Sequence, residues 1–496
     1  MMAQILQMNP NDNIAIAITD IKAGDLLMIC GKEIYSLQDV PPGHKVAVRH
    51  ICAGEQVLKY GYPIGVALYD ISPGAWVHTH NLKTELMGII DYQYKPIKNV
   101  LVPQEPKYKF MGYRRADGSV GVRNEIWIIP TVGCVNSVAH NLERQASKIL
   151  TYGVDGIYAF THPYGCSQCG QDLSNTRQIL AGLVHHPNAA GVLVLGLGCE
   201  NNTIESFKRI LGTYDYKNVR FLNCQDVSNE VGCGMAILEE MVKSASVLSR
   251  TEVSIEELVI GLKCGGSDGF SGITANPLVG LVTDCVIAQG GTALMSEVPE
   301  MFGAEVILMN RASNKNVFDA QVTMINDFKK YYLEHNQPIY ENPSPGNKEG
   351  GITTLEEKSL GCIKKGGTSP VVDVLDYGQK YRVKGLSLVK SPGNDLVSCT
   401  ALVVAGAQLV LFTTGRGTPM GSPVPTIKIS TNSHLAKQKS NWIDFDAGVL
   451  LNGVDFDLAR DCLLEKIMLI ASGECPTCSE INHSRDMAIF KDGVTL

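Results

Sequence analysis

The fold and the chemistry of this chain are organised around one glycine-rich stretch, residues 262–277, which reads LKCGGSDGFSGITANP. It follows an apolar run, residues 258–262, that is typical of a buried strand, and it precedes residues 278–289, whose apolar spacing predicts a helix. The glycines allow the backbone to take a positive φ and to approach a ligand closely. Because a thiol, a carboxylate, hydroxyls and an amide lie in this strand-to-helix turn, we expect it to form part of a functional site.

The overall charge is mildly acidic, with a net charge of −7 at pH 7 over 496 residues. A protein whose main partner is nucleic acid or an anionic membrane would present a basic face, so neither partner is expected. A small anionic substrate would instead be bound by a few local cations. No apolar run reaches the roughly 18 residues of a membrane span, and no signal peptide is evident, so we expect a cytoplasmic protein. Its length suggests about three domains.

The chain contains 15 cysteines. In the reducing cytoplasm disulfides are rare, so the sequence favours thiols that are buried, catalytic or bound to metal.

An internal repeat marks the N-terminal part of the chain. The motifs ITDIKAG, RHICAG and YDISPG recur between residues 18 and 74, each a short alternating segment closed by glycine. Such segments predict short strands, so residues 12–82 are expected to form a small all-β module. The repeat resembles the SAF module, a β-clip type of domain.

Two candidate site features lie in this module. If the third repeat continues as a strand, His78 and His80 point to the same face and present two imidazoles, a common arrangement for first-row metals. Surface histidines are the alternative interpretation. Lys59 could bind a carboxylate or act as a base, although its position taken alone favours a solvated lysine.

Residues 83–109 hold three prolines and no apolar period, which predicts a linker. Residues 110–252 then alternate strand-like and helix-like segments four times, which predicts a parallel, Rossmann-like sheet. Polar clusters follow the first three strands, at residues 131–136, 162–169 and 198–202. Ligands bind at the carboxyl ends of parallel strands. His162, Cys166 and Glu200 are therefore candidate site residues.

Residues 253–496 predict a second α/β domain, expected to be catalytic, in which clusters again follow apolar strands. One of these clusters contains Arg416. Residues 310–367 form a long polar insertion, which predicts a lid, a binding loop or an interface.

Three cysteines that follow strands, Cys166, Cys199 and Cys264, each stand next to a glycine. Three converging thiolates could hold iron, or an iron–sulfur cluster with one open iron. One or two thiolates together with His78 and His80 are a second arrangement, and buried thiols at tight turns are the inert alternative.

Taken together, the motifs resemble the altronate/galactarate dehydratase family. They comprise YGYPIG (60–65), HTHN (78–81), GVRNE (121–125), PTVGCVN (130–136), YGCSQ (164–168), GLGCENN (196–202), CGGSD (264–268), SGITANP (271–277) and AIFKDGVTL (488–496). The resemblance covers nearly the whole chain. It implies a SAF module, a linker and two further domains, and iron(II)-dependent dehydration of D-altronate to 2-dehydro-3-deoxy-D-gluconate.

The chemistry of dehydration suggests roles for the candidate residues. A base takes the C2 proton, an acid protonates the leaving C3 hydroxyl, and a divalent metal stabilises the developing charge. We expect Fe2+, with Mn2+ as the alternative and an iron–sulfur cluster less favoured. The expected metal ligands are His78, His80, Cys166 and Cys264. The expected proton-transfer groups are Lys59, His162, Glu200 and Asp268, although Asp268 could simply cap a helix. The expected substrate-binding groups are Arg123, Asn276 and Arg416.

Two other functions stay open at this point. One is the dehydration of galactarate or another hydroxy acid, and the other is a non-catalytic sugar-acid sensor. The sequence also leaves a homo-oligomer open.

Overall fold

Short strands separated by glycine turns build the N-terminal module of the computed structural model, which describes residues 4–29, 31–97 and 101–494. The strands are β1 (Ile5–Leu6), β2 (Ile14–Ala17), β3 (Leu26–Ile29), β4 (Lys32–Tyr35), β5 (Lys45–Ala47), β6 (Gln56–Lys59), β7 (Tyr62–Ala67), β8 (Trp76–Val77) and β9 (Leu82–Lys83). They pair as β1-β2-β5-β8, β3-β4 and β6-β7-β9. The all-β prediction is therefore confirmed, but β1 lies before the predicted start at residue 12.

The two histidines of the module are not on a strand, so the prediction that they share one strand face was wrong. Strand β8 ends at Val77, and the amides of Asn81 and Leu82 both bond the carbonyl of His78, which closes a turn. His80 is exposed and His78 is partly buried. Asn81 forms this turn because its side chain bridges the amide of His78 and the carbonyl of Trp76.

The predicted linker is an irregular segment that runs along the C-terminal domain and makes hydrogen bonds to it. Thr84 and the amide of Glu85 bond Glu356. Further along, Tyr92 bonds Glu305, and the amide of Gln104 bonds the carbonyl of Ala288. Residues 98–100 of this segment, and 495–496 at the end of the predicted C-terminal domain, lie outside the described residues.

The second unit is built around a parallel sheet in the order β13-β12-β14-β15. Its strands are β10 (Lys109–Arg114), β11 (Val120–Gly121), β12 (Glu125–Pro130), β13 (Gly156–Ala159), β14 (Ala189–Gly196), β15 (Val219–Asn223) and β16 (Thr251–Ser254). Its helices are α1 (Asn136–Ala146), α2 (Gly170–Val184), α3 (Ile204–Leu211) and α4 (Glu230–Ala245). The antiparallel sheet β11-β10-β16 joins the two ends of the unit, and β16 runs across the boundary predicted between residues 252 and 253.

The C-terminal domain holds a seven-stranded parallel sheet in the order β19-β20-β18-β17-β21-β22-β23. Its strands are β17 (Val259–Cys264), β18 (Thr292–Met295), β19 (Val371–Leu375), β20 (Leu386–Val389), β21 (Leu409–Thr414), β22 (Thr426–Ser430) and β23 (Phe445–Asp446). Its helices are α5 (Ala275–Ala288), α6 (Glu305–Met309), α7 (Lys315–Glu334), α8 (Pro345–Glu349), α9 (Leu355–Cys362), α10 (Asp395–Val404), α11 (Ser433–Gln438), α12 (Phe456–Ala471) and α13 (Cys478–Ile481).

The insertion at residues 310–367 is largely helical and not the long loop that its polarity predicted. Helix α7 has 20 residues and buries one stripe, which includes Val317, Met324 and Phe328. These positions repeat at helical spacing, so the apolar face packs on the domain while the polar majority faces outward.

Hydrophobic contacts tie the three parts together. One core cluster includes Ile64 and Val77 of the module with Phe302 and Leu355 of the C-terminal domain. A second cluster joins the two sheet-containing parts and includes Trp127 and Phe412. Over the described ranges, the helices are all too short or too polar to cross a bilayer.

Candidate active site

The central strand β17 delivers the site residues. Its neighbours are β18 on one side and β21 on the other, so the chain leaves β17 in one direction and later returns on the opposite side. Ligands in open parallel sheets bind at such a switch point, beyond the carboxyl ends of the strands. The predicted turn, residues 264–277, starts at this point.

A cluster of buried ionisable groups surrounds the end of β17. The Nζ of Lys263 donates to Glu297 and, at 2.7 Å, to Asp395. On the other side of the cluster, the Nζ of Lys358 lies 2.7 Å from the carboxylate of Glu300. Charges removed from water need partners, and here each lysine has a carboxylate.

Two thiols and one carboxylate meet within this cluster. The Sγ of Cys264 lies 3.3 Å from the Sγ of Cys362 and 3.1 Å from Oε2 of Glu300. The Sγ of Cys362 is 3.2 Å from the same oxygen. All three side chains are buried, and their ligand atoms lie within 4.8 Å of one another. Three such groups at this spacing could together hold one metal ion.

The surroundings favour the thiolate form of Cys264. The hydrogen bond from the Cys362 thiol lowers the pKa of Cys264 to about 6, and nearby lysines add to this effect against the opposing influence of burial. The closest of these is Lys365, whose Nζ lies 2.7 Å from the sulfur. A thiolate is the form that binds metal.

Two carboxylates of the cluster, Glu297 and Glu300, have pKa values shifted in opposite directions. Burial and the charge of Glu300 raise the pKa of Glu297 well above its ordinary value. Burial also works against ionisation of Glu300, but Lys358, Lys263 and Lys365 together hold the pKa of Glu300 far below its ordinary value. Neighbouring carboxyl groups with separated pKa values are typical of sites that transfer protons.

The β module docks beside this cluster through a second set of buried charges. The carboxylate of Glu357 lies 2.8 Å from Nζ of Lys45 and 2.7 Å from Nζ of Lys59. Burial alone would raise the pKa of Glu357, but the two lysines hold it far below its ordinary value. The charge of Glu357 in turn raises the pKa of Lys59 above its ordinary value, despite burial. Lys59 is therefore a cation in this structure, which does not suit the role of a base.

A small cavity lies between the module and the C-terminal domain. It is narrow, with a cavity volume of about 10 Å³, and its walls include Lys59, Tyr60, Lys358 and Cys362 together with the turn from Ser267 to Gly272. Tyr60 also lines a larger opening of about 290 Å³ that is bordered by Arg311 and Lys364. The site is thus shared by the module and the C-terminal domain, whereas the strand-end clusters of the second unit do not line the cavity.

Two predicted residues in the turn have partners in the chain. The carboxylate of Asp268 accepts hydrogen bonds from Ser271, Thr431 and Asn432, and burial raises its pKa. The side chain of Asn276 donates to the carbonyl of Gly361 and accepts from Thr413. Both residues line the cavity while they also fix its walls.

The two predicted arginines differ in their accessibility. Arg416 follows β21, is half exposed and pairs with Glu349. Arg123 is buried, and its three guanidinium nitrogens donate to Glu480 and to the carbonyls of Val122 and Ile470. Because these contacts occupy Arg123 at the contact between the second unit and the C-terminal domain, the geometry does not support a substrate clamp there.

Among the described residues, the predicted groups of the second unit do not belong to the ligand group around Cys264, and they have partners of their own. Cys166 is exposed at the end of the second unit's sheet. The ring of His162 bonds the carbonyl of Pro130 and the amide of Tyr164, and burial lowers its pKa to about 4. Glu200 accepts from Thr131 and from the amide of Gly198. These contacts hold loops in place.

His78 lies on the module side of the docking contact. Its ring stacks on Trp76 and packs against His44, and burial with the charge of Lys45 lowers its pKa to about 4. Its Nδ1 is buried without a hydrogen-bond partner in the described part of the chain. The group of candidate metal ligands, however, consists of Cys264, Glu300 and Cys362. It includes neither His78 nor His80.

Sequence reasoning missed several cluster residues. No motif distinguishes Cys362 from an ordinary buried thiol, and Lys263, Lys365 and Glu357 are not among the predicted site residues. A lysine inside the apolar strand β17 was a readable signal, since lysine is almost never fully buried unless it is paired. Glu300, three residues after Glu297 in a polar cluster, was a second.

Comparison with known proteins agrees with the fold. The "Altronate/galactarate dehydratase SAF domain" matches residues 3–85, which confirms the SAF module. The "D-galactarate dehydratase/Altronate hydrolase, second domain" matches residues 112–246. The "D-galactarate/Altronate dehydratase, C-terminal" model matches residues 255–495.

Full-length relatives are similar along the whole chain. Altronate dehydratase of Escherichia coli (strain K12) is 49% identical, over 99% of this chain and 100% of that protein. Altronate dehydratase of Bacillus subtilis (strain 168) is 48% identical, over 100% of both chains. Galactarate dehydratase (L-threo-forming) of Escherichia coli (strain K12) is 33% identical, over 96% of this chain and 94% of that protein. This chain therefore belongs to the altronate/galactarate dehydratase family.

Proposed function

We propose that this chain is a hydro-lyase that converts D-altronate to 2-dehydro-3-deoxy-D-gluconate and water in the cavity between the SAF module and the C-terminal domain. The observation that carries the proposal is the buried group Cys264–Glu300–Cys362 next to a cavity lined by two lysines. The lysine ammonium groups can bind the carboxylate of a sugar acid and stabilise the negative charge that develops when its C2 proton is removed.

The similarity pattern favours altronate as the substrate. The relatives named altronate dehydratase share 49% and 48% of their residues with this chain, whereas the relative named galactarate dehydratase shares 33%. Enzymes of either name act on sugar acids, so the same reaction class with galactarate is the alternative, and the sensor interpretation is disfavoured.

The proposed chemistry assigns a task to each wall of the cavity. The ammonium groups of Lys59 and Lys358 bind the substrate carboxylate and stabilise negative charge as the C2 proton leaves. Asp268, whose pKa burial raises, is the proposed acceptor of that proton, because a more basic carboxylate is the better base. An acidic group of the cavity wall protonates the departing C3 hydroxyl. Loss of water gives an enol that tautomerises to the keto acid.

The donor set around Cys264 fits iron(II). Thiolate ligands favour iron or zinc over the oxygen-preferring Mn2+, and buried thiols beside lysines supply the deprotonated form. Cys264, Cys362 and Glu300 would hold the ion, and bound iron(II) would act as a Lewis acid on the substrate's oxygens.

A substrate panel tests the proposal. Purified chain is assayed anaerobically with iron(II) on D-altronate, galactarate and other aldonic acids, and the keto-acid product is identified. We expect turnover of D-altronate and at least tenfold lower kcat/KM for galactarate, about 1.4 kcal/mol in activation free energy. Turnover of galactarate alone would refute the substrate assignment, and binding without turnover would refute the enzyme assignment.

The ligand assignment has its own test. Cys264→Ser and Cys362→Ser should each weaken binding of iron(II), measured by anaerobic titration in the absence of sulfide, whereas Cys462→Ser, at an exposed thiol, should bind as the unmodified chain does. Equal affinity in all four proteins would contradict the assignment.

A further inference from the structure

Three Gly–Cys pairs lie at one edge of the second unit's sheet. They do not line the cavity described above. Each pair follows a different parallel strand, namely β12, β14 or β13. The pairs are Gly133–Cys134, Gly198–Cys199 and Gly165–Cys166. Since parallel strands end at a common edge, the three thiols are carried to the same side of the sheet.

Hydrogen bonds join the three loops in every pairwise combination. The amide of Gly133 bonds the carbonyl of Tyr164 at 2.8 Å, which ties the loop after β12 to the loop after β13. The amide of Asn202 bonds the carbonyl of Gly165 at 3.0 Å, which ties the loop after β14 to the loop after β13. Thr131 and Glu200 close the triangle at 2.7 Å. Each cysteine is therefore held by a loop that both others brace.

Backbone packing requires glycine at Gly165 and leaves little room at Gly133, whereas the neighbour of Gly198 is a flexible side chain. A Cβ at Gly165 would lie 2.1 Å from the carbonyl oxygen of Thr131. A Cβ at Gly133 would lie 3.0 Å from the carbonyl oxygen of His162, and one at Gly198 would lie 2.8 Å from the side chain of Gln225. Larger residues would push the loops apart, and the thiols with them.

The thiols themselves are exposed and little used by the protein. Cys134, Cys166 and Cys199 are all exposed. Within the described residues Cys134 has no hydrogen-bond partner, Cys166 has a 4.0 Å contact with Ser167, and Cys199 accepts from Gln225 at 3.6 Å. Their sulfurs are free to bind a ligand.

Among the described residues, the three sulfurs do not form a group close enough to share one metal ion. Around one tetrahedral ion with bonds of about 2.3 Å, ligand sulfurs lie roughly 4 Å apart. The sets of three ligand atoms within 4.8 Å of one another, among described residues, involve Cys264 or Cys52 and not these thiols. Three sulfurs from one edge at wider spacing suit a polynuclear group, which iron–sulfur clusters provide through cysteine ligands.

We propose that Cys134, Cys166 and Cys199 bind an iron–sulfur cluster of the four-iron type and leave one of its irons without a cysteine ligand. This site is separate from the Cys264–Glu300–Cys362 group and goes beyond the proposed dehydration. Glu200 acts as a positioning residue, because its carboxylate fixes both the loop of Cys199 and Thr131.

The proposed cluster is tested in the full-length chain after anaerobic reconstitution with ferrous iron and inorganic sulfide. We expect a brown protein with about four acid-labile sulfides per chain. Cys134→Ser, Cys166→Ser and Cys199→Ser should each lose more than half of that sulfide, and the triple variant nearly all. The matched control Cys462→Ser should retain it, and circular dichroism with melting temperature checks that each variant is folded.

The two sites can be told apart in the same experiment. Cys264→Ser should keep its labile sulfide, because its thiol is not a cluster ligand. Absence of labile sulfide in the unmodified chain, or full sulfide in the folded triple variant, would overturn the cluster. The sulfide content is measured independently of turnover. A chain that does not convert D-altronate but holds labile sulfide would contradict only the proposed function.

Discussion

Lys358 shows what single side chains do in the buried cluster. Its ammonium pairs with Glu300, and both groups are almost fully buried. Lys358→Met would leave that carboxylate without its closest cation in a region that excludes water. Breaking a buried pair on one side typically costs about 3–5 kcal/mol, so we expect the free energy of unfolding in urea to fall by about that amount.

The control for this change is Lys315→Met, which removes one partner of an exposed pair with Asp319. Exposed pairs contribute little to stability, so this variant should unfold at nearly the same urea concentration as the unmodified chain. If Lys358→Met behaves like Lys315→Met, Glu300 is not held as an ion by Lys358.

His186 gives the stability a dependence on pH. It is buried where the second unit meets the C-terminal domain and bonds the carbonyl of Ala407, and burial lowers its pKa to about 3. The unfolded chain takes up this proton near pH 6.5, whereas the folded chain resists it until about pH 3. The stabilisation is therefore complete above pH 6.5 and is lost progressively as the pH falls towards 3.

The expected size is about 2 kcal/mol between pH 6.5 and pH 5, at about 1.4 kcal/mol for each pH unit. In His186→Gln this part of the pH dependence of unfolding should disappear. His434→Gln, at an exposed position, should preserve it. An unchanged pH profile in His186→Gln would show that His186 is protonated equally in both states.

At the scale of elements, the turn after β17 and the turn before β5 touch backbone to backbone. A Cβ at Gly269 would lie 1.9 Å from the carbonyl oxygen of Gly43. The neighbours are main-chain atoms that cannot rotate away, so Gly269→Ala should push the module off the turn and lower both melting temperature and activity. Gly346→Ala, in α8 with open space around it, should change neither. Normal activity in Gly269→Ala would show that this contact does not shape the site.

Strands and helices could be predicted where their apolar residues repeat at strand or helix spacing within a short segment. Strand β12, Glu125–Pro130, was predictable within the alternating segments of residues 110–252 because its apolar run is short and bounded. Helix α7 was missed because its buried stripe, which includes Val317 and Phe328, is narrow within a polar segment. The turn at His78 was missed because a side chain, that of Asn81, ends the strand.

At the scale of the whole molecule, the module and the C-terminal domain form one site. The contact between Lys45 and Glu357 joins residues 312 positions apart, a distance at which no periodicity or motif spacing operates. Sequence reasoning could therefore place Cys264 and Asp268 in a site, but it could not identify Cys362 or Glu357 as their neighbours. It also placed the thiol of Cys166 with Cys264, although the two follow strands of different sheets.

This arrangement predicts the effect of Glu357→Gln. The variant leaves Lys45 and Lys59 buried without their shared carboxylate, and the module should then open more often. Hydrogen exchange should rise in β5 and β6 and stay unchanged in the second unit's sheet. Glu341→Gln, at an exposed acid, serves as the control. Equal protection in both variants would mean that apolar contacts alone hold the module.

The most direct test of the central claim is the rate of D-altronate dehydration by Lys59→Met, measured anaerobically with iron(II). The control is Lys83→Met, at an exposed lysine of the same module. If the cavity between the module and the C-terminal domain is the active site, the kcat of Lys59→Met should be lower by about 100-fold or more, while the kcat of Lys83→Met stays unchanged. Full activity in folded Lys59→Met would place the reaction elsewhere in the molecule.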